Sequence, residues 1–124
     1  MDAVGAMELS AADCLSRLRS ACWGRVALSM QTIAMVVPVP VRVVEDRVVF
    51  TTVCGSAFDR AVQGQPISVQ VEGREPAGGD GELLWSVVVS GICGPVVRAP
   101  GAAERSNAVP FSLVQGWCVR LPSL

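Results

Sequence analysis

The stretch VVFTTVCGSAF, residues 48–58, runs from an apolar strand through a glycine-containing loop into a short helix. Its first three residues belong to the types that favour pleated, half-buried surfaces. Ser56 followed by Asp59 is typical of a helix N-cap, and the amides of a helix N-terminus attract anions. The hydroxyl groups of Thr52 and Ser56 are therefore candidate phosphate ligands, although an ordinary capped helix shows the same pattern.

The rest of the chain alternates between two helical segments and many extended ones. Residues 1–9 are expected to form a loose leader, and the capping pattern at Ser10 predicts an N-terminal helix over residues 10–23 that ends at Gly24. A short helix is predicted over residues 56–63, and residues 98–107 carry only a weak helical or loop signal. Valine-rich segments predict strands, which are residues 25–30, 33–44, 47–52, 66–73, 83–91, 92–97 and 116–121.

Two prolines interrupt the longest predicted strand. Pro38 and Pro40 cannot donate ladder hydrogen bonds, so this strand must be an edge strand, a bulge or a bent corner there. Several short strands with few helices are typical of a small closed barrel. The length of 124 residues predicts one domain over residues 1–124, whose core needs no disulfide or metal.

The composition excludes several kinds of catalysis. The chain contains no His, no Lys and no Tyr, whereas Val occurs 22 times and all ten positive charges are Arg. These absences rule out His-assisted serine or cysteine catalysis, a His-containing zinc site, a Schiff base and a Walker-type phosphate loop. Any catalysis must therefore use carboxylates, thiols or a bound cofactor.

Charge, hydropathy and cysteine usage narrow the partners. The net charge of −1 and the scattered Arg residues argue against nucleic-acid binding. The longest apolar run, residues 33–41, is too short to span a membrane, and the N-terminus lacks the pattern of a signal peptide. The five Cys include no C-x-x-C pair, so we expect free thiols, no metal site and a cytoplasmic location.

Seven short segments within about residues 8–122 resemble, in order, those of a known family. They are DCL (13–15), GRVA (24–27), VPV (37–39), VVFTT with the following GS (48–52 and 55–56), ISVQVE (67–72), WSVVVSG (85–91) and WCVRLP (117–122). Together they resemble the pyridoxamine 5'-phosphate oxidase-like family of flavin-binding split β-barrels, and most of all its small bacterial branch. No single segment is decisive, but the ordered set is fairly specific for the fold.

The resemblance implies a mainly β, six-stranded, Greek-key-like split β-barrel with an N-terminal helix and one short helix. It also implies a homodimer that holds FMN, or alternatively a deazaflavin, in a groove between the subunits, where the cofactor carries the hydride of an oxidoreductase. Taken by itself, Trp85 is more typical of a core or interface position than of a platform that stacks on a cofactor ring. The resemblance places these residues at the cofactor: Thr51, Thr52, Ser56 and Ala57 at the phosphate end, Pro38 and Val39 along the ring, and Trp85 and Ser86 on the strand pair of the cleft.

The chain departs from the family pattern at two of these places and at the neighbouring Pro40. The basic residue that usually follows the Ser is Ala57, the usual Arg before the strand-end Thr is Thr51, and a common Asn is Pro40. Charge-assisted hydrogen bonds are about twice as strong as neutral ones, so losing two basic partners weakens a phosphate site. Arginines elsewhere are candidates to compensate, namely Arg25, Arg60 and Arg120.

These departures leave one other function open, and the resemblance leaves a second, because some related barrels handle tetrapyrroles. The first alternative is a cofactor-free, non-catalytic dimer that acts as a binding or structural protein. The second is a haem or tetrapyrrole binder, in which axial ligation would need Cys or Met because His and Tyr are absent. The sequence assigns no catalytic residue and selects no substrate.

Overall fold

Ten strands and two short helices make up the described part of the chain. The computed structural model describes residues 6–96 and 101–121. The helices are α1 (Ala11–Ser20) and α2 (Ala57–Val62). The strands are β1 (Met7–Glu8), β2 (Trp23–Met30), β3 (Ile33–Pro40), β4 (Arg42–Val44), β5 (Arg47–Val53), β6 (Pro66–Pro76), β7 (Glu82–Ile92), β8 (Gly94–Pro95), β9 (Glu104–Pro110) and β10 (Leu113–Leu121).

The strands form two antiparallel sheets around one apolar core. The larger sheet has the order β1-β10-β7-β6-β2-β3, and the smaller has the order β4-β5-β9-β8. Alternate residues of the central strands point inward, and Val69, Val87, Val89 and Val109 are fully buried. The valine surplus therefore fills the space between the sheets, where β-branched side chains pack well.

The chain changes sheet at Val41. β3 is the edge strand of the larger sheet, and β4 begins the smaller one two residues after Pro40. Val41 is buried, and its amide donates to the Cys22 carbonyl over 3.1 Å. The edge strand and bent corner predicted from Pro38 and Pro40 are both observed, because neither proline is needed as a ladder donor at an outer edge.

Helix α1 is shorter than predicted. Ser10 caps it, as the Asp13 amide donates to the Ser10 hydroxyl, but the helix ends at Ser20 and Trp23 already begins β2. Gly24 is therefore not a C-cap. A Cβ there would lie 2.6 Å from the Gln70 carbonyl oxygen, so Gly24 permits the close approach of β2 and β6.

Two other segments differ from the sequence prediction. The loose leader over residues 1–9 is wrong for its last part, because Met7–Glu8 pairs with β10 and the Leu9 amide donates to the Gly116 carbonyl over 2.8 Å. Residues 1–5 lie outside the described residues. The weak helical signal over residues 98–107 is also wrong for residues 104–107, which form β9 with β5 as its partner.

Candidate functional site

A shallow depression lies where the larger sheet meets the smaller one. It has a volume of about 150 Å³ and is lined by the residues Pro40, Val41, Arg42, Val49, Phe50, Thr51 and Ser106. Thr51 and Ser106 are opposite each other on β5 and β9, and Arg42 is opposite Val49 on β4 and β5. One guanidinium and two hydroxyl groups thus border an apolar floor at the predicted phosphate end.

Arg42 and Ser106 were not singled out from the sequence. Arg42 follows a proline-rich segment with no flanking motif, and Ser106 lies in a stretch predicted as helix or loop. Within residues 6–96 and 101–121, no carboxylate forms an ion pair with Arg42. Alternation along β5 turns Thr51 outward, since Phe50 and Thr52 point into the core, but no local pattern marks Arg42 or Ser106 as its neighbours.

The Thr52 hydroxyl is used inside the chain. Thr52 is buried, its hydroxyl donates to the Asp59 carboxylate over 2.7 Å, and the Asn107 side-chain amide donates to Thr52 Oγ1 over 3.0 Å. Asp59 also accepts from the Gly55 amide and from the Arg105 guanidinium, each over 2.9 Å. A carboxylate of the chain itself therefore binds the Thr52 hydroxyl that the sequence analysis proposed as a phosphate ligand.

The charge state of Asp59 follows from these contacts. Burial by itself raises the pKa of Asp59, but hydrogen bonds from Gly55, Thr52 and Arg105 together outweigh it and hold the pKa below its ordinary value. Asp59 is thus a buried carboxylate anion at neutral pH. Its role is to join β5, α2 and β9.

Ser56 and Ala57 lie at the start of α2. The Ser56 hydroxyl accepts from the Asp59 amide over 3.1 Å, which is the capping arrangement predicted from the sequence. Ala57 is exposed and lines a second depression with Arg60, one helical turn further on, and with Ser29 and Gln31. The Arg60 guanidinium contacts the Gly55 carbonyl. Ser56 therefore serves mainly as a cap, and Arg60 supplies a cation near Ala57.

Pro38 and Val39 point to opposite sides of β3. Pro38 is exposed on the outer face of the larger sheet, whereas Val39 is 7% exposed and belongs to the core. Only the backbone of Val39 is available to a ligand on the outer face.

Trp85 and Ser86 likewise face opposite ways, so they cannot line one cleft together. The Trp85 ring packs over Gly73, where a Cβ would lie 2.5 Å from it, and beneath the Arg17 guanidinium at 5.1 Å from the ring centroid. Arg17 in turn makes a bidentate ion pair with Glu75, with the shorter distance at 2.9 Å. Trp85 therefore occupies a core position under α1, away from the outer face, as its residue type favoured.

Ser86 belongs to a polar run that crosses the outer face of the larger sheet. Gln70 Nε2 donates to Ser86 Oγ over 3.1 Å, and Arg25 Nη1 donates to Gln70 Oε1 over 3.2 Å. Arg25 also pairs with Glu72 and lies 4.9 Å from the centroid of the Trp23 ring. These contacts connect β2, β6 and β7.

The polar run lies between two of the predicted cofactor contacts. Arg25 is directly opposite Pro38 in the β2–β3 register. Three strand spacings, about 14 Å, separate Pro38 on β3 from Ser86 on β7. The outer face therefore brings Pro38 and Ser86 onto one surface, and Thr51 lies beyond Pro40 at its end.

Two buried thiols are held in their protonated form. Burial raises the pKa of Cys93 to about 11, with a contribution from the Asp59 charge, and burial also raises the pKa of Cys14. Both thiols are protonated at neutral pH and are poor nucleophiles. Among the described residues, no group of three or more His, Cys, Asp or Glu side chains is arranged to hold a metal ion.

Comparison with known proteins identifies the family. The family model described as pyridoxamine 5'-phosphate oxidase matches residues 10–117, so the chain belongs to this family. No curated protein matches the chain significantly. In the described part of the chain, no helix has the length and apolar character needed to cross a membrane.

Solved structures show the same fold. The FAD-binding protein from Mycobacterium smegmatis is 21% identical, has a TM-score of 0.77, and the match covers 93% of this chain and 99% of that one. An FAD-binding protein from Mesorhizobium loti is 21% identical, with a TM-score of 0.74 and coverage of 92% and 98%. The FAD and heme binding protein from Mycobacterium smegmatis is 17% identical, with a TM-score of 0.71 and coverage of 97% and 74%. The mainly β split-barrel fold predicted from the sequence is thereby confirmed.

Proposed function

We propose that this protein is a flavin-binding oxidoreductase that works as a homodimer. Membership of the pyridoxamine 5'-phosphate oxidase family supports a flavin, and the names of several similar structures state that those proteins bind FAD. The observation that carries the proposal is the depression with Arg42, Thr51 and Ser106, which is bordered by the exposed Pro40 at the end of the outer face. Its donors and apolar floor fit a phosphate group next to a flat ring.

The proposed cofactor site differs from the sequence prediction at its anionic end. Arg42 replaces the missing basic partners, and Thr51 and Ser106 offer hydroxyl donors. Thr52 and Ser56 act behind this surface, because their hydroxyls hold Asp59 and the start of α2. Pro38 and Ser86 contact the remainder of the cofactor from the outer face. A bound flavin supplies the hydride chemistry, and the chain binds it, orients it and excludes water.

The homodimer completes this site. Cofactor pockets usually enclose about 300–1,000 Å³, more than the 150 Å³ depression of one chain offers. The outer face of the larger sheet also exposes Val36, Ile92 and Leu113, each by more than half. A second copy that covers this face buries these side chains and closes the groove over the cofactor.

A second candidate is the cofactor-free dimer. The observation in its favour is Asp59, which occupies the Gly55 and Thr52 donors with a charge of the chain itself. On this view the fold keeps its barrel and its dimer but serves only as a binding or structural protein.

Titration with FMN, FAD and a deazaflavin separates the two candidates. The proposed function predicts saturable quenching of flavin fluorescence and a perturbed visible spectrum for at least one of the three, with one cofactor per subunit. Reduction of the bound flavin by a nicotinamide or chemical donor, followed by reoxidation with a two-electron acceptor, then tests the oxidoreductase step. No binding of any of the three at protein concentrations of about 0.1 mM contradicts the proposal and supports the cofactor-free dimer.

A further inference from the structure

The outer-face polar run has a fixed direction of hydrogen bonding. An arginine guanidinium can only donate, so the Gln70 atom that faces Arg25 must be the amide oxygen. The Gln70 nitrogen then faces Ser86 and donates to its oxygen. The orientation of the Gln70 amide is thus set by the charge of Arg25.

Arg25 is itself held on two sides. Glu72 pairs with its guanidinium, and the Trp23 ring lies against it at 4.9 Å. The side chains of Arg25 and Glu72 are 38% and 27% exposed, so the pair is partly shielded from solvent. The two opposite charges cancel, and the pair presents a fixed donor to Gln70 and no net charge to a ligand.

The orientation of the Gln70 amide determines the direction of the Ser86 hydroxyl proton. Because its oxygen already accepts from Gln70, the hydroxyl proton points away from Gln70 and remains available as a donor. Within residues 6–96 and 101–121, no group accepts a hydrogen bond from this hydroxyl. The hydroxyl is half-buried on the face where the cofactor is proposed to lie.

We infer that Arg25 and Gln70 are positioning residues that hold Ser86 as a hydrogen-bond donor toward an acceptor atom of the bound cofactor. The inference rests on the proposed function and adds to it the polarity of one contact. The ligand edge that meets Ser86 must carry an acceptor, such as a ring carbonyl oxygen or an unprotonated ring nitrogen. The polar run therefore selects for an acceptor edge and against a donor edge.

The variant Gln70→Glu tests this polarity with almost no change in shape. A carboxylate at position 70 still accepts from Arg25, but its second oxygen accepts from Ser86 and turns the hydroxyl proton away from the ligand. Both Gln70→Glu and Ser86→Ala should raise the Kd for the flavin that binds the wild-type protein about fivefold to tenfold, the value of one neutral hydrogen bond. Ser86→Thr keeps a hydroxyl and should restore most of the affinity.

The double variant distinguishes positioning from a direct contact. If Gln70 acts only through Ser86, Gln70→Glu has no further effect on the Kd once Ser86 is Ala. The double variant then has the same Kd as Ser86→Ala alone. Independent contacts of the two residues, or a general loss of structure, give losses that multiply. The visible spectrum of the bound flavin gives a second readout, since losing a donor at a ring acceptor shifts the absorption bands in both single variants alike.

Ser90 provides a matched control. It lies four residues further along the same strand and on the same face, but its hydroxyl is already paired with that of Ser68 over 2.7 Å. Ser90→Ala should leave the Kd and the spectrum unchanged, and thermal unfolding shows whether each variant is folded. Wild-type protein that binds no flavin overturns the proposed function. Wild-type protein that binds flavin, with multiplicative losses in the double variant, overturns the positioning role alone.

Discussion

Two arginines close to the proposed cofactor differ in what they can offer it. Arg25 is neutralised by Glu72 and is engaged with Gln70, so it orients other groups. Arg42 is exposed and, within the described residues, has no ion-pair partner, so its charge is available to an anion. The two arginines therefore have different roles because Arg25 on β2 has charged and polar neighbours, whereas Arg42 on β4 has no carboxylate partner among the described residues.

The charge of Arg42 gives the first prediction at the residue scale. Arg42→Ala should raise the Kd for FMN about tenfold to a hundredfold, the value of a hydrogen bond to a charged group, measured by fluorescence quenching. The loss should shrink at high salt, since exposed charges are screened. Arg74→Ala, which removes an exposed arginine from the far end of β6, should leave the Kd unchanged. Equal affinity of the Arg42 variant and wild type would place the phosphate elsewhere.

The buried carboxylate of Asp59 should make a pH-dependent contribution to the free energy of unfolding. The Asp59 side chain is 3% exposed and paired with Arg105, so Asp59→Asn should lower the free energy of unfolding at pH 7 by about 3 kcal/mol. Because the folded pKa of Asp59 is lowered, its contribution is complete above the unfolded pKa of about 4 and is lost as pH falls through the folded value. The difference between the variant and wild type should therefore narrow in urea unfolding at pH 3.

Asp46 is the control for that experiment. Its side chain is 89% exposed and lies 3.9 Å from Arg19, so Asp46→Asn should change the free energy of unfolding by a few tenths of a kcal/mol at most. A loss for Asp59→Asn that is equally small, or that does not change with pH, would show that Asp59 is not the charged centre of this network.

At the scale of elements, the contact between α1 and the larger sheet depends on a glycine. A Cβ at Gly73 would lie 2.5 Å from the Trp85 ring, so Gly73→Ala must move the ring and with it the Arg17 guanidinium above it. We expect a loss of about 1–3 kcal/mol in urea unfolding, as for other overpacked cores, together with a shift of the tryptophan emission. Gly78→Ala is the control, because no atom lies within 4 Å of its Cβ position. A variant at position 73 as stable as wild type would mean that Trp85 moves freely.

Strands β7 and β9 differ in whether the sequence alone could predict them. Strand β7 could be predicted because it contains a run of valines, which favour pleated surfaces, and the corner at Val41 could be predicted because two prolines precede it. Strand β9 could not be predicted. Its polar residue Asn107 is buried because its side chain hydrogen-bonds with Thr52 and Gln63, which are distant in the sequence. Pairing between distant segments creates that environment, and a local pattern does not contain it.

The candidate site divides in the same way between what the sequence predicts and what only the fold shows. Pro38 and Ser86 lie on one outer surface with Thr51 beyond its end, and their contact with a cofactor stays a prediction from the family resemblance. Alternation along a strand already implied that Trp85 and Ser86 point to opposite faces. Arg42 became a candidate only when the fold placed β4 beside β5, because nothing in its local sequence distinguishes it from the other arginines.

At the scale of the whole molecule, the outer face of the larger sheet is the surface proposed to meet a second copy. Val36 lies there on the edge strand β3 and is 60% exposed. Val36→Glu places a charge where the dimer would bury it without a partner, which costs several kcal/mol and should convert the dimer to a monomer in analytical ultracentrifugation. If the partner completes the cofactor site, flavin binding should weaken in parallel, and it should recover as the protein concentration is raised.

Met7→Glu is the matched control for this last prediction. Met7 is 53% exposed and lies on β1, at the opposite edge of the same sheet from β3. It should leave both the dimer and flavin binding intact, because the charge remains in water. A Val36→Glu protein that stays dimeric would move the interface away from this face. A monomer that binds flavin as tightly as wild type would show that one chain holds the cofactor alone, and the 150 Å³ depression would then be only part of a larger single-chain groove.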